Sequence, residues 1–338
     1  MHNIGLSIEE KLLIKILFLD QKICKKDLNK IDLEKLIKIS SKSLMIPSLY
    51  KKITDKNYTS FFELEFIKYI RYIYELNKER NNQLLREINQ IRKILTGNNI
   101  EFAFLKGAAL ILNKTYNDFG ERMIGDIDIL INENDYIEAI AIFKKYGYSN
   151  KKNIYFFERH FPRMVSSKKT FAVELHRRVL RKENNKLMNT KIIFNKKIDK
   201  KKKILSHEFL ILNNIYNFEI NDYGYANNFF DLRTIYDTLH LMNFKDINIK
   251  KINLNKYTRK HFQNIQQLGI RNYKIRTNIN DIFWLYHHNI CKKFKSLSKL
   301  NKLIVNTSIY LSNKPMQIKE FVRNKKYRKY IFKKLIKN

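Results

Sequence analysis

The helical spacing of apolar residues that governs most of this 338-residue chain breaks down at about residue 100. Before that point, "LSIEEKLLIKILFLD" opens with Ser7 and Glu10 at capping-box spacing, followed by apolar positions at helical intervals. Shorter helices are expected around 32–54 and a long amphipathic one from about Ser60 to Leu95. Gly97 then stands where helices commonly end in the left-handed conformation. Beyond it, "IEFAFLK" reads as a buried strand, Gly107 to Leu112 as a short helix and "DIDILI" as a second strand. The loop between the last two carries Asp118, Gly120 and Arg122. Three of the chain's 8 glycines fall between positions 107 and 125, so the turns of the molecule are concentrated here.

The rest of this unit follows the same logic. "ENDYIEAIAIFKKYGY" is a helix stopped by Gly147. "YFFERHFPRMVSS" and "TFAVELHRRV" are extended stretches separated by a Ser-Lys turn, which predicts a hairpin. Three regions result: helical 1–97, an α/β unit 98–195, and a helical 204–338 with a basic tail. "NKKIDKKKK" (195–203) reads as an exposed hinge between the last two. Helices are expected at about 206–219 and 225–243, then a bundle around 257–312. The tail "FVRNKKYRKYIFKKLIKN" predicts an amphipathic helix with Phe321, Tyr327, Tyr330, Ile331 and Leu335 along one side.

Composition narrows the class. With 44% hydrophobic and 13% aromatic residues the chain has material for a large core, against global disorder. No run approaches the ~18 uncharged apolar residues of a membrane span, so no integral membrane association is expected. The N-terminus has acidic residues where a signal peptide is basic. Cys24 and Cys291 form no disulfide or metal framework, which fits a reducing, cytoplasmic setting. A net charge of +35 attracts polyanions, RNA among them. The same lysines accompany an excess of Asn, Ile, Tyr and Phe, the signature of AT-rich codon bias, so charge alone does not set the function.

Chemistry concentrates in "LKGAALILNKTYNDFGERMIGDIDILI". Alternation along a strand puts Asp126 and Asp128 on one face while Ile127 and Ile129 point to the core. Two carboxylates so close repel each other. A surface strand would solvate them, but the apolar flanks argue for a central strand, where a cation must compensate. Hard oxygen ligands suit Mg²⁺, which bridges to substrate phosphates. Asp-x-Asp alone is a weak signal. "LKGAAL" strengthens it, placing a glycine between strand and helix where an anion is received, with Lys106 beside it. In "AVELHRRV", Glu174 supplies a third carboxylate from a strand expected in the same sheet, completing a two-metal site for in-line displacement at phosphorus.

The ordered set of Lys-Gly on a strand-to-helix turn, Arg, Gly-Asp-Ile-Asp-Ile-Leu and a strand ending Glu-Leu-His resembles the DNA-polymerase-beta-like nucleotidyltransferase superfamily. More closely, it resembles the bacterial "uncharacterised nucleotidyltransferase" family, in which Lys-Gly replaces the superfamily's Gly-Ser. The motifs cover about residues 98–180, with a weaker extension through "HEFLIL" and "FFDLRTIYDTL". The resemblance implies an α+β fold: a small mixed-sheet nucleotidyltransferase core flanked by N- and C-terminal helical regions. It implies a Mg²⁺-dependent transferase, with two ions, that moves a nucleoside monophosphate from ATP or another NTP to a hydroxyl acceptor and releases pyrophosphate. Asp126, Asp128 and Glu174 would be the metal-binding and catalytic residues, Glu174 also taking the acceptor's proton. Lys106 and Gly107 would hold the triphosphate and Arg122 would neutralise its charge. Two departures stand out: Ala108 follows Gly107 where relatives carry serine, and Glu174 is Asp in many relatives. The acceptor is either a small molecule or tRNA, as in toxin-type nucleotidyltransferases. A catalytically silent nucleotide- or RNA-binding module and a purely structural basic scaffold are the other readings.

Other residues have plainer explanations. His176 shares Glu174's face and either meets substrate, orients a carboxylate or is a hydrogen-bonded sheet histidine. Arg122 either serves the site or pairs with Asp118 or Glu121. Asp237 either reaches the cleft or makes a helix-surface salt bridge. His160 and Arg163 flank the acceptor or simply face a hairpin. His287, His288 and Cys291 lie close in sequence, but adjacent histidines diverge on a helix, which argues against zinc. The basic C-terminal helix is a solvated face, with nucleic acid or an anionic membrane surface as the sharper options.

Overall fold

The computed structural model describes residues 5–150, 159–243, 254–271 and 273, together with 283, 286–287, 289–291 and 293–336. Helix α1 (Ile8–Phe18) starts at the anticipated capping box. Ser7 Oγ accepts from the Glu10 amide at 3.2 Å, and Glu10 Oε2 accepts from the Ser7 amide at 2.8 Å. Three further helices follow: α2 (Lys25–Leu28), α3 (Leu33–Lys42) and α4 (Ile46–Asp55). Helix α5 (Leu64–Gly97) is about 50 Å long at 1.5 Å per residue. It buries Phe66, Ile70, Tyr74, Asn77, Asn81, Leu84, Ile88, Ile91 and Leu95, a stripe at three- and four-residue intervals. Its end corrects one expectation. Gly97 is still helical, and the left-handed residue is Asn99 (φ 55), whose short polar side chain tolerates that region.

The period change at residue 100 is where the sheet begins. Its strands are β1 (Phe102–Phe104), β2 (Asp126–Ile131), β3 (Ala172–His176), β4 (Ile198–Asp199) and β5 (Ile204–Leu205), in the order β3-β2-β1-β5-β4. β2 runs antiparallel to β1 and parallel to β3; β1 is parallel to β5, and β4 antiparallel to β5. The fold is therefore α+β with a mixed sheet and helical flanks, as expected. Helix α6 (Lys106–Leu112) follows β1 directly. Helix α7 (Tyr136–Lys145) ends before Gly147, whose φ of +80° favours glycine.

Three local readings change. The stretch 195–203 is no free hinge: after α8 (Thr190–Lys196) it turns into the β4–β5 hairpin, which extends the sheet. Its lysines sit on the outside of that hairpin, which is why it looked like a linker. The hairpin expected before β3 is reduced to single bridges, His160 to His176 and Met164 to Val173; residues 151–158 lie outside the described part. The basic tail is not one helix, because a break at Asn324 separates Lys295–Arg323 from Lys325–Ile336. Of its expected stripe, Tyr327 is buried and Phe321 packs on Phe332; the side chains of Tyr330 and Leu335 lie outside those described, as does His288. No described helix is long and apolar enough to cross a membrane.

Helices α9 (His207–Tyr216), a π-helical turn (Asn217–Asn221), α10 (Gly224–Asn227), α11 (Leu232–Met242) and α12 (Lys256–Gln267) complete the described core. One contiguous apolar cluster joins Leu13 of α1, Leu49 of α4, Ile88 of α5, Ile129 of β2, Ile211 of α9 and Ile265 of α12. These helices fix the loop from Asp118 to Arg122. From α5, Asn77 Nδ2 donates to the Gly120 carbonyl at 2.7 Å and Asn81 Nδ2 to the Arg122 carbonyl at 2.8 Å. Tyr74 bonds Asp118, and Ser48 Oγ of α4 donates to the Glu121 carbonyl at 2.9 Å. From the other side, Tyr236 of α11 donates to Glu121 Oε2 at 2.5 Å.

The same loop carries a deeply buried ion pair. Arg122 donates from Nε to both oxygens of Asp237 on α11, at 2.9 and 3.0 Å, and Tyr116 also bonds Asp237. Asp237 is 1% exposed. Removing one partner strands a buried charge, whereas an apolar pair of similar volume avoids desolvation altogether. Asp237→Ala is therefore expected to cost about 3–5 kcal/mol in urea unfolding. The double change Arg122→Met/Asp237→Leu is expected to recover most of that loss; equal destabilisation by single and double variants would show that the pair does not tie α11 to the sheet.

Candidate active site

The register of β2 and β3 builds the site. Asp128 lies directly opposite Glu174, Asp126 opposite Ala172 and Leu130 opposite His176. Alternation then puts Asp126, Asp128, Glu174 and His176 on one face, while Ile127, Ile129, Val173 and Leu175 are fully buried on the other. The parallel pairing is what makes two separate sequence motifs neighbours.

Asp128 is the centre of this face, at 3% exposure. Its Oδ1 accepts from Lys106 Nζ at 2.6 Å and contacts His176 Nε2 at 2.8 Å. Burial pulls its carboxyl upward, but Lys106 and His176 hold it well below the usual carboxylate range. Glu174 is half-buried, with Oε2 3.7 Å from His176 Nε2 and 4.0 Å from His160 Nδ1. Burial opposes its ionisation too, yet the two histidines keep its carboxyl below the ordinary value. His176 is itself completely buried, and its Nδ1 has no hydrogen-bond partner among the described residues.

Asp126 is different. Its carboxylate makes no hydrogen bond or ion pair among the described residues. Burial pushes its pKa up first, and repulsion from Asp128 and Glu174 adds to that, only partly offset by Lys106 and Arg163. A half-buried carboxylate repelled by two others is left without a fully compensating cation among the described residues. Ligand atoms of Asp128, Glu174 and His176 also lie within 4.8 Å of one another, close enough to share one ion. The donor set is oxygen-dominated, which fits Mg²⁺ better than a soft metal. The residues present therefore fit a divalent ion.

Lys106 approaches Asp128 from the turn after β1. It opens α6 with φ 48, an uncommon conformation for a residue with a side chain. Next to it, a Cβ on Gly107 would stand 2.9 Å from Ile124 Cγ1, so no larger residue fits between the turn and the strand entry. This turn, the Arg122–Asp126 segment and Asp128 form one wall of a cavity of about 220 Å³. The opposite wall comes from the C-terminal helices: Asn213, Asn217, Asp222, Arg233, Thr234 and Asp237. No residue from 1–97 is among those lining it; the N-terminal helices act through the loop they clamp.

The structure thus brings Lys106, Gly107, Asp126 and Asp128 to one cavity, with Glu174 and His176 beside Asp128. Arg122 and Asp237 also line it, but they face each other: the Arg122 guanidinium is held by Asp237 and by the Met123 carbonyl, not turned to open space. Arg122 pairs neither with Asp118 nor with Glu121. Sequence reasoning missed Arg159, Asp222 and Arg233. For Arg233 a signal existed, since it precedes Asp237 by four residues and so shares its helix face. Asp222 follows a π-helical turn, whose geometry no helical period predicts.

A family model described as "uncharacterised nucleotidyltransferase" matches residues 29–275. No curated protein and no solved structure matches the chain. The matched span takes in α3 through α12, and with them the acidic face of β2 and β3 and both walls of the cavity. With more than half of its length matched, this chain belongs to the uncharacterised nucleotidyltransferase family.

Proposed function

We propose that this chain transfers a nucleoside monophosphate from an NTP to a hydroxyl acceptor, releasing pyrophosphate, on the acidic face of β2 and β3. The observation that carries the reading is the unpartnered carboxylate of Asp126, next to Asp128 and Glu174 at the edge of a cavity that also holds Lys106. Asp126, Asp128 and Glu174 would hold two Mg²⁺ ions, which when bound neutralise phosphate charge and lower the pKa of the attacking hydroxyl.

The chain's own groups supply the rest. Lys106 stands between Asp128 and the Gly107 turn, so its ammonium passes from the carboxylate to a phosphate oxygen as the triphosphate enters. Gly107 lines the same cavity, where its backbone is to meet phosphate, and its lack of a side chain lets the turn pack directly on Ile124. Glu174, held ionised by its histidine neighbours, accepts the acceptor's proton as its oxygen bonds the α-phosphorus and the bond to the bridging oxygen breaks. His176 fixes Asp128 from behind. Arg122 is a positioning residue: locked to Asp237, it sets the entry of β2 and does not clamp the triphosphate.

With radiolabelled NTPs, Mg²⁺ and host extract, the wild-type chain is expected to label an acceptor, and chelation to stop it. Glu174→Gln is expected to slow labelling by about 10²–10⁴-fold, the usual worth of a general base. Mg²⁺-dependent NTP binding without turnover in any extract would instead identify a silent nucleotide-binding module.

Asp126→Asn separates stability from activity. Because the folded state raises this carboxyl's pKa, its charge destabilises the fold at neutral pH. Neutralising it is expected to raise the thermal midpoint at pH 7 while abolishing labelling. The gain is expected to vanish as pH falls through the elevated folded-state pKa toward the ordinary one, where the wild-type carboxyl is protonated as well. A variant that melts lower than wild type at pH 7, or labels equally well, would contradict the assignment.

A further inference from the structure

Arg159 stands just before the His160–His176 bridge, and its carbonyl accepts from the amides of Arg177 and Arg178 at 2.9 and 3.2 Å. This pins its backbone to the end of β3. Its Nη1 is buried without a hydrogen-bond partner among the described residues. Burial lowers its pKa, against the pull of Asp128, Glu174 and Asp222, so the guanidinium lies within electrostatic reach of the acidic face.

A second unsatisfied group lies beside it. Tyr223 adopts a left-handed backbone (φ 59) that turns the chain between the π-helical turn and α10, and its buried hydroxyl completes no hydrogen bond of good geometry with a described residue, although Arg181 stands close to it. Arg181 lies over the Tyr223 ring, 5.0 Å from its centroid, and Arg159 and Arg181 both act on Tyr223 electrostatically. Buried polar groups in a folded protein are normally bonded, so such atoms gathered in one place mark something the chain alone does not supply. Two guanidinium groups and a phenol are donors, and planar guanidinium forks match phosphate oxygens.

The position favours one phosphate over another. In-line displacement puts the attacking hydroxyl and the leaving pyrophosphate on opposite sides of the reacting phosphorus. The Gly107 turn, with Lys106, is the triphosphate side in the reading above. Arg159 comes instead from the β3 side, within electrostatic reach of Glu174, the group that receives the acceptor's proton, and Arg181, which follows β3, interacts with Arg159 and Tyr223.

We propose that Arg159, Arg181 and Tyr223 form a second anion subsite that binds a phosphate carried by the acceptor, so the acceptor is a phosphorylated hydroxyl compound. A phosphorylated small molecule and an RNA end share this chemistry. The acceptor's own phosphate stays intact: its hydroxyl oxygen bonds the α-phosphorus, pyrophosphate leaves and the proton goes to Glu174. This inference rests on the nucleotidyl-transfer reading.

The test uses the full chain with α-³²P-labelled NTPs and fractionated host extract. One arm is the small-molecule fraction, untreated or treated with phosphatase that is then removed; the other is the RNA fraction, with or without ribonuclease. Label that falls at least tenfold after phosphatase, or RNase-sensitive label in the RNA arm, supports the subsite and identifies its source. On that acceptor, Arg159→Gln and Arg181→Gln are expected to raise the acceptor KM tenfold or more while the NTP KM stays within twofold. Arg159→Lys is expected to recover part of the loss. Should Arg159→Gln fail to fold, Arg181→Gln and Tyr223→Phe carry the same comparison. Undiminished labelling of phosphatase-treated small molecules, or variants that raise the NTP KM instead, would overturn the subsite and leave nucleotidyl transfer standing. If wild type labels nothing in either arm, the transfer reading falls and the subsite falls with it.

Discussion

A carboxylate buried as deeply as Asp128 stays ionised only where positive charge meets it, and here Lys106 and His176 both do so on one oxygen. That arrangement ties together three pieces of chain: the turn after β1, the start of β2 and the end of β3. It also sets the electrostatic problem of the face. Asp128 is compensated, Glu174 is compensated in part, and Asp126 is so little compensated that its pKa is raised. A fold that leaves one of three neighbouring carboxylates unsupported carries a local cost, and such costs collect at functional sites. The β2–β3 register makes the repulsion unavoidable, since only this register sets Glu174 opposite Asp128; slipping β3 by one residue would turn Glu174 and His176 into the core.

The helices around the sheet have distinct parts in holding this geometry. The N-terminal helices do not line the cavity. Asn77, Asn81 and Ser48 instead fasten the carbonyls of the Gly120–Arg122 loop, which delivers the chain into β2. The C-terminal helices form the facing wall, and α11 is joined to the loop through Arg122, Asp237, Tyr116 and Tyr236. Sheet, loop and α11 are therefore coupled by hydrogen bonds with fixed directions, whose geometry leaves less freedom than apolar contact would.

Much of the core was legible from residues 100–176, because strand alternation and glycine placement are local properties. Phe102–Phe104 and Asp126–Ile131 follow from short apolar runs, and the shared face of Asp126 and Asp128 from period two. Gly107 could be read as a turn residue, although its need to clear Ile124 could not. The misreadings were about partners. Arg122 was weighed against nearby acids, but its partner lies 115 positions away in sequence, beyond the reach of any local pattern. The lysine-rich stretch after 195 looked like a linker because composition is blind to a short hairpin that finds a sheet edge. Arg159, Asp222 and Tyr223 sit at irregular turns, where neither helical nor strand periodicity assigns a direction. The family match, spanning residues 29–275, includes these positions but assigns none of them a role.

We propose above all that the acids of β2 and β3 form a metal site, its occupation moving Lys106 toward a triphosphate; this is a hypothesis about the face built by the β2–β3 register. Its most direct measurement is anomalous diffraction from crystals grown with Mn²⁺ and a non-hydrolysable NTP. Anomalous peaks bounded by Asp126, Asp128 and Glu174 are expected, with Lys106 Nζ moved off Asp128 and onto a phosphate oxygen. Crystals with nucleotide bound elsewhere, no anomalous peak on these carboxylates and Lys106 still 2.6 Å from Asp128 would contradict it.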